Sequence, residues 1–168
     1  MCSGADTLIV IRPLERNHRE HIHAMLVDTD VFSNEEVGIA LELIDTSLNN
    51  PNQNDYEIFT GIDESGNVMG YYCIGPTPGT SGTFDLYWIA VKPSLHDKGI
   101  GKQLLHHAES RIASHGGRLV VAETSSQPKY EHTRRFYLNN HYAEVARIKD
   151  YYRRGDDLVV YGKYLSQS

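Results

Sequence analysis

The stretch Val91–Leu105 reads VKPSLHDKGIGKQLL. It begins where an apolar run, LYWIAV (86–91), ends, and passes through a polar segment holding Gly99 and Gly101. It then enters a helical pattern in which Ile100, Leu104, Ala108 and Ile112 share one face. Two glycines between a strand and a helix let backbone N–H groups come close to a ligand. The N-terminus of the following helix adds unpaired donors and about half a positive charge. Together these features make an anion site, best suited to phosphate, with Lys98 and Lys102 as point charges beside it. An isolated GxG is more often a turn that tightens helix–sheet packing, so the surrounding pattern has to decide.

Outward from that stretch, strand and helix patterns alternate. LIVIR (8–12) reads as a strand ended by Pro13, and Leu14, His18, Ile22, Met25 and Leu26 carry helical spacing across 14–27. SNEE (33–36) has the form of a capping box, Ser33 with Glu36. It opens a second helix whose apolar face is Val37, Ala40, Leu41, Ile44 and Leu48, broken at NNPNQN (49–54). YEIFTGI (56–62) and VMGYYCI (68–74) flank DESGN, a hairpin signal. GPTPGTSG (75–82) reads as a loop and TFDLYWIAV (83–91) as the third strand of a meander. HGG (115–117) closes the glycine-led helix, and RLVVAE (118–123) follows as a buried strand. A helix across 129–140 leads into a final hairpin, YAEVARIK (142–149) with DLVVYGKYL (157–165). The expected class is α/β: a mixed, mostly antiparallel sheet of about seven strands with four helices on its faces.

The 168 residues suit one domain with one core, and no repeat, low-complexity tract or linker divides them. A net charge of −6 argues against a nucleic-acid surface, which needs a net basic face. No apolar run approaches the ~20 residues of a bilayer span, so no membrane partner is expected. MCSGADTL lacks the basic-then-apolar order of a signal peptide, and the cytoplasm is the expected location. Cys2 and Cys73 have no CxxC partner and imply neither a disulfide nor a zinc site. Cys73 lies in an apolar strand pattern, as a small core residue does. The nine histidines form no HExxH pattern, and His18, His21 and His23 are expected at the surface, so no metal is expected.

A dinucleotide-binding unit is the nearest rival reading of strand, GxG, helix, strand and the acid Glu123. It needs a third glycine where Leu104 stands, and the unit occurs once, after an antiparallel meander. A better match is available. HDKGIG (His96–Gly101) is similar to the Q/R-x-x-G-x-G/A motif of the GNAT superfamily of acetyl-CoA-dependent N-acetyltransferases. YEHTRRFYLNNHY (Tyr130–Tyr142) resembles that family's second motif, N-x-x-A-x-x-F/L-Y-x-x-x-G-F. The element order agrees with the GNAT fold across about 8–165. Four positions depart: His96 replaces Gln or Arg, Tyr130 an Asn that often contacts CoA, Thr133 an Ala, and His141 a Gly. Position 141 ends a helix, where positive φ is common and glycine is the easier residue.

The resemblance implies a GNAT fold whose fourth and fifth strands splay apart, with the pantetheine arm of acetyl-CoA in the gap, against the backbone of Ile89, Ala90 and Val91. It implies that His96, Asp97, Lys98, Gly99, Ile100, Gly101 and Lys102 hold the pyrophosphate, with Tyr130 and Arg134 as further cofactor contacts. It makes Tyr137, of the FY pair, the general acid, since a phenol with pKa ~10 is protonated at neutral pH. Glu123 at the end of its strand is the candidate base, and Asp85 the alternative. The acceptor is expected between VDTDVFS (27–33) and KDYYRRGDD (149–157), with Tyr72, Tyr87, Asp85 and Asp150 as candidate contacts. The acids and aromatics of these loops favour a small cationic amine, while Arg153 and Arg154 would suit a carboxylate-bearing acceptor. A small-molecule amine acetyltransferase is the leading reading. A protein N-terminal or lysine acetyltransferase, and a non-catalytic acyl-CoA sensor, are the alternatives. A homodimer is the assembly that the resemblance allows.

Overall fold

The structure, a computed structural model, describes residues 6–166. Its strands are β1 (Val10–Pro13), β2 (Glu57–Ile62), β3 (Val68–Pro76), β4 (Thr83–Val91), β5 (Leu119–Ser125), β6 (Ala143–Arg153) and β7 (Asp156–Tyr164). Its α-helices are α1 (Arg19–Asp28), α2 (Asn34–Asn49), α3 (Ile100–Ser114) and α4 (Glu131–Asn139). The seven strands form one sheet in the order β1-β2-β3-β4-β5-β7-β6. Only β4 and β5 run parallel, because the α3 crossover joins them; every other pair is antiparallel. This is the expected mixed sheet.

Apolar side chains pack on both faces of the sheet. On one face Ile100, Leu104, Leu105, Ala108 and Ile112 of α3, with Tyr137 of α4, cover Tyr72, Ile74, Leu86, Val120 and Ala122. On the other, Ile22, Met25 and Leu26 of α1, with Val37, Ala40 and Ile44 of α2, cover Ile58, Ile62, Tyr71, Cys73 and Ala90. Burial raises the Cys73 thiol to about 12, which leaves it an unreactive core residue as expected. Cys2 lies outside the described residues.

Two readings of the N-terminal third change. The 14–27 helix becomes a 3-10 turn, Arg16–His18, followed by α1, so Leu14 precedes both. His18 is buried, not surface-exposed. Its Nδ1 accepts the Glu15 N–H at 3.1 Å and lies 2.9 Å from Thr60 Oγ1. Burial lowers its pKa, so a neutral imidazole fills the gap between turn and sheet. Pro13 closes β1 from within; it is tolerated because β1 is an edge strand paired only with β2.

The helix-ending position anticipated from the motif is as expected: His141 has φ +68. The Tyr142 N–H donates to the Tyr137 carbonyl (3.1 Å), closing the helix in a Schellman-like turn. A left-handed backbone costs an L-residue roughly 1–2 kcal/mol. His141→Gly is therefore expected to raise stability by about 1 kcal/mol, or roughly 2–4 °C in Tm, in thermal unfolding. An unchanged or lower Tm would contradict this.

Candidate active site

β4 and β5 pair at only three positions: Thr83 with Leu119, Phe84 with Val120, and Asp85 with Val121. Beyond them the strands separate. β4 stays paired with β3 as far as Val91, and β5 with β7 as far as Ser125. Leu86–Val91 of β4 and Ala122–Ser125 of β5 therefore turn unpaired backbone edges toward a gap. Buried backbone groups need partners, so an open edge inside a sheet is a place for an extended ligand to bind.

A bulge in β4 sets the geometry of this gap. Cys73 pairs with Trp88 and Ile74 with Leu86, which leaves Tyr87 as an extra residue. The bulge reverses the alternation of the strand. Before it, Phe84 and Leu86 face α3; after it, Ile89 and Val91 do, and Trp88 and Ala90 face α1 and α2.

At the far end of β4 the glycine segment meets α3. Asp97 (φ +61) and Gly99 (φ +77) are both left-handed. The N-terminus of α2 is closed by the capping box: Ser33 Oγ accepts the Glu36 N–H (3.2 Å), and a Glu36 carboxylate oxygen accepts the Ser33 N–H (2.7 Å). That of α3 carries no side-chain cap: its N-cap is Gly99 and no acid lies in its first turn, although the Asp6 carboxylate lies against Gly99. The leading N–H groups of α3 are free to meet an anion. Lys98 and Lys102 are exposed beside it. Gly101 lets α4 approach, because an added Cβ would stand 3.0 Å from the Phe136 ring. His96 shapes the segment from within. Its Nε2–H donates to the Val91 carbonyl (3.0 Å), and its ring stacks on His132 of α4 at 5.1 Å.

Tyr137 reaches the same region from α4. Its ring stacks on Tyr161 and packs against Tyr142 and Phe136. Among the described residues, Tyr71 Oη is the one side-chain polar atom that lacks both a partner and solvent contact. Tyr137 Oη likewise has no hydrogen-bond partner among the described residues, although the side chain is buried. Burial raises its pKa well above the ordinary phenol value, so the hydroxyl stays protonated.

The family profile described as "Acetyltransferase (GNAT) family" matches residues 29–142. A crystal structure from Desulfovibrio desulfuricans assigned to the GNAT acetyltransferases is 35% identical. It superposes with a TM-score of 0.90, covering 95% of this chain and 100% of that one. The chain belongs to the GNAT family of acetyltransferases. More distant structures share the GNAT fold. An aminoglycoside 6'-N-acetyltransferase solved with coenzyme A is 17% identical (TM-score 0.72, 92% and 96% covered). The Escherichia coli ribosomal-protein-S18-alanine N-acetyltransferase is 16% identical (TM-score 0.73, 96% and 96% covered). No curated protein matches the chain by sequence.

Several candidate residues of this GNAT domain are placed differently from expectation. Tyr72 does not face a cleft. It is fully buried under α3, stacked on Phe59, with its hydroxyl 2.7 Å from His107 Nδ1. Tyr72→Phe is expected to cost about 1 kcal/mol of stability through the lost hydrogen bond, with acceptor KM unchanged. A raised acceptor KM at normal stability would return Tyr72 to the site. Tyr87 leans over Gly75, whose added Cβ would stand 2.9 Å from its ring, and so points toward β3 rather than β5. Asp85 lies at the closed end of the gap and accepts a hydrogen bond from Thr77 Oγ1 (2.8 Å).

Asp150 serves its own hairpin. At φ +53 it accepts the Gly155 N–H (2.7 Å) and donates its N–H to Asp157 (3.0 Å). Arg134 donates to the carbonyls of Ser125 (2.8 Å) and Gln127 (2.9 Å), fixing the tip of β5 instead of reaching outward. Tyr130 donates to the Glu36 carboxylate (2.8 Å) and so also faces away from the glycine segment. Glu123 is exposed. Strand alternation puts it opposite the buried Val120 and Ala122, on the face of α1 and α2.

The sequence reading passed over Asp156. This buried carboxylate at the start of β7 accepts the hydroxyl of Ser125 and the side-chain amide of Gln127 (2.7 Å), tying the diverging end of β5 to β7. Burial first, then the charges of Glu123, Tyr151, Asp156 and Glu36, raise the pKa of the Tyr152 hydroxyl. Among the described residues no helix is long and apolar enough to cross a membrane, and no three His, Cys, Asp or Glu side chains gather as a metal site.

Proposed function

We propose that this GNAT enzyme transfers the acetyl group of acetyl-CoA to a primary amine of a small, cationic molecule, within a ternary complex. The observation that carries this reading is the early divergence of β4 and β5 after Asp85 and Val121. It leaves a slot with different chemistry on its two faces. The face of α3 and α4 offers the uncapped helix, two lysines and Tyr137, which suit a diphosphate and a thioester. The opposite face offers the exposed carboxylate of Glu123 and the aromatic side chain of Tyr152, which suit an ammonium ion. The coenzyme A bound by the distant aminoglycoside acetyltransferase of the same fold supports the choice of donor.

In this reading the pantetheine arm lies along the free edge of β4. A backbone N–H near Ile89–Val91 polarises the thioester carbonyl. The amine attacks in its neutral form, and Glu123, directly or through a water, takes the N–H proton that the nitrogen sheds as the C–N bond forms. The amine nitrogen attacks the carbonyl carbon, so a C–N bond forms and the C–S bond breaks. Tyr137 Oη–H then protonates the departing thiolate. The apolar stack around Tyr137 raises the proton affinity of a thiolate beside it as well as that of the phenol, which keeps the transfer feasible.

The test is thiol release from acetyl-CoA with a panel of alkyl amines, diamines, amino acids and a peptide N-terminus. The expected result is release well above the buffer rate with the small cationic amines. Release no faster than in buffer with every amine would contradict the proposal, as would turnover confined to the peptide.

A further inference from the structure

The connection between α1 and α2, residues 29–33, crosses the acceptor face of the gap and is fastened on both sides. On the β4 side, Phe32 meets Trp88 edge-on with ring centroids 5.1 Å apart. Trp88 belongs to the stretch of β4 that has already left β5. On the β5 side, Lys129 Nζ donates to the Val31 carbonyl (2.8 Å), just past the end of β5. Tyr130 Oη donates to Glu36 (2.8 Å) and lies 3.5 Å from the same Val31 carbonyl. The second Glu36 oxygen is held by the Ser33 N–H, so this carboxylate is fully used as a brace. Lys129 also lies over the Tyr130 ring, 5.0 Å from its centroid. Within the connection, Thr29 Oγ1 donates to the Leu26 carbonyl (2.8 Å) and accepts the Val31 N–H (3.4 Å). It is therefore a preformed strap whose two anchors stand on opposite banks of the opening.

We infer that this strap is a size filter for the acceptor and that Tyr130 and Lys129 are its specificity-determining latch. The inference rests on the acetyltransferase reading above and concerns the same gap. An amine carried on a slender chain can pass beside the strap and present its nitrogen to the thioester. A bulky polycyclic amine, or an amine on a folded protein surface, meets the strap first. Tyr130 stands where the family motif has an asparagine, and in this chain the substituted side chain bridges to the α1–α2 connection. Neither Lys129 nor Tyr130 is expected to touch the reacting atoms. They act by holding Val31 and Glu36 in place.

The test is the Lys129→Ala/Tyr130→Phe double variant, which keeps the Tyr130 ring and removes the polar contacts. Two quantities are compared with wild type. One is amide hydrogen exchange across residues 31–36. The other is the ratio of kcat/KM for a bulky amine, kanamycin, to that for a slender one, 1,5-diaminopentane. Loss of contacts to a carboxylate and a carbonyl is expected to speed exchange about tenfold and to raise the ratio by about tenfold or more. A single-variant control, Tyr130→Phe, is expected to give a smaller change in the same direction. Faster exchange with an unchanged ratio overturns the size filter. Unchanged exchange overturns the latch. Failure of the acetyltransferase reading looks different: no amine releases thiol with either protein, while the exchange difference persists. That result overturns the filter together with the reading.

Discussion

Tyr137→Phe is expected to lower kcat by about a hundredfold while leaving acetyl-CoA affinity within about twofold. The substitution removes one oxygen from a ring held by Tyr142, Tyr161 and Phe136, and the stack survives it. Because no protein group hydrogen-bonds that oxygen, no partner is stranded and stability changes little. The loss therefore falls on the chemical step. Single-turnover kinetics with saturating amine separates that step from CoA release. Protonation of the thiolate would then depend on water, and the rate deficit would shrink as pH falls. A kcat equal to wild type would remove Tyr137 from the mechanism and leave it a core aromatic residue.

Gly99→Ala carries the second large effect, on the donor side. Gly99 has φ +77, where an alanine loses roughly 1–2 kcal/mol. The added Cβ would also stand 2.6 Å from Asp6 Oδ1, so the carboxylate must move as well. The cheapest relief is for the segment from Asp97 to Gly99 to leave its left-handed conformations, which re-aims the N–H groups at the mouth of α3. Acetyl-CoA is expected to bind about tenfold more weakly, read by titration calorimetry, with kcat at saturation changed much less. Gly101→Ala is a useful contrast. Its Cβ would meet the Phe136 ring edge at 3.0 Å and Val91 Cγ2 at 3.6 Å, side chains that can shift, so its effect on affinity is expected to be smaller. Equal affinity of Gly99→Ala and wild type would mean that the segment does not hold the diphosphate.

Much of the fold was legible because it is written in periodicity. The Ile100-to-Ile112 spacing, the Ser33/Glu36 box and the glycines that punctuate the chain all became the elements they signalled. The misplacement of Tyr72 has a physical cause. β3 is an interior strand of the sheet with helices on both faces, and Val68–Gly75 are all buried. A strand buried on both sides reads as a continuous apolar run, so alternation cannot say whether Tyr71 or Tyr72 faces a given helix. The bulge at Tyr87 left no local mark either, since Leu86 to Val91 is an apolar run on both sides of it. His18 resembled a surface histidine because its partner, Thr60, is 42 residues away.

The candidate site divides along the same line. The glycine segment and the FY pair are local signals, and the chain places both beside the diverging strands. Tyr130, Arg134 and Asp150 were assigned by motif position or by loop composition. Their partners, Glu36, Ser125 and Gly155, were chosen by the tertiary structure. Glu36 shows how one residue serves both levels. One oxygen closes a local capping box, and the other receives a hydroxyl from a residue 94 positions further along the chain.

The central claim is that the uncapped start of α3 grips a diphosphate while the free edge of β4 holds the arm that leads to the thioester. A crystal structure of the protein with coenzyme A tests it most directly. The account predicts the diphosphate against the backbone N–H groups of residues 97–102 and the pantetheine amides paired with β4 between Leu86 and Val91. A diphosphate bound elsewhere, or a pantetheine arm lying outside the gap between β4 and β5, would contradict it.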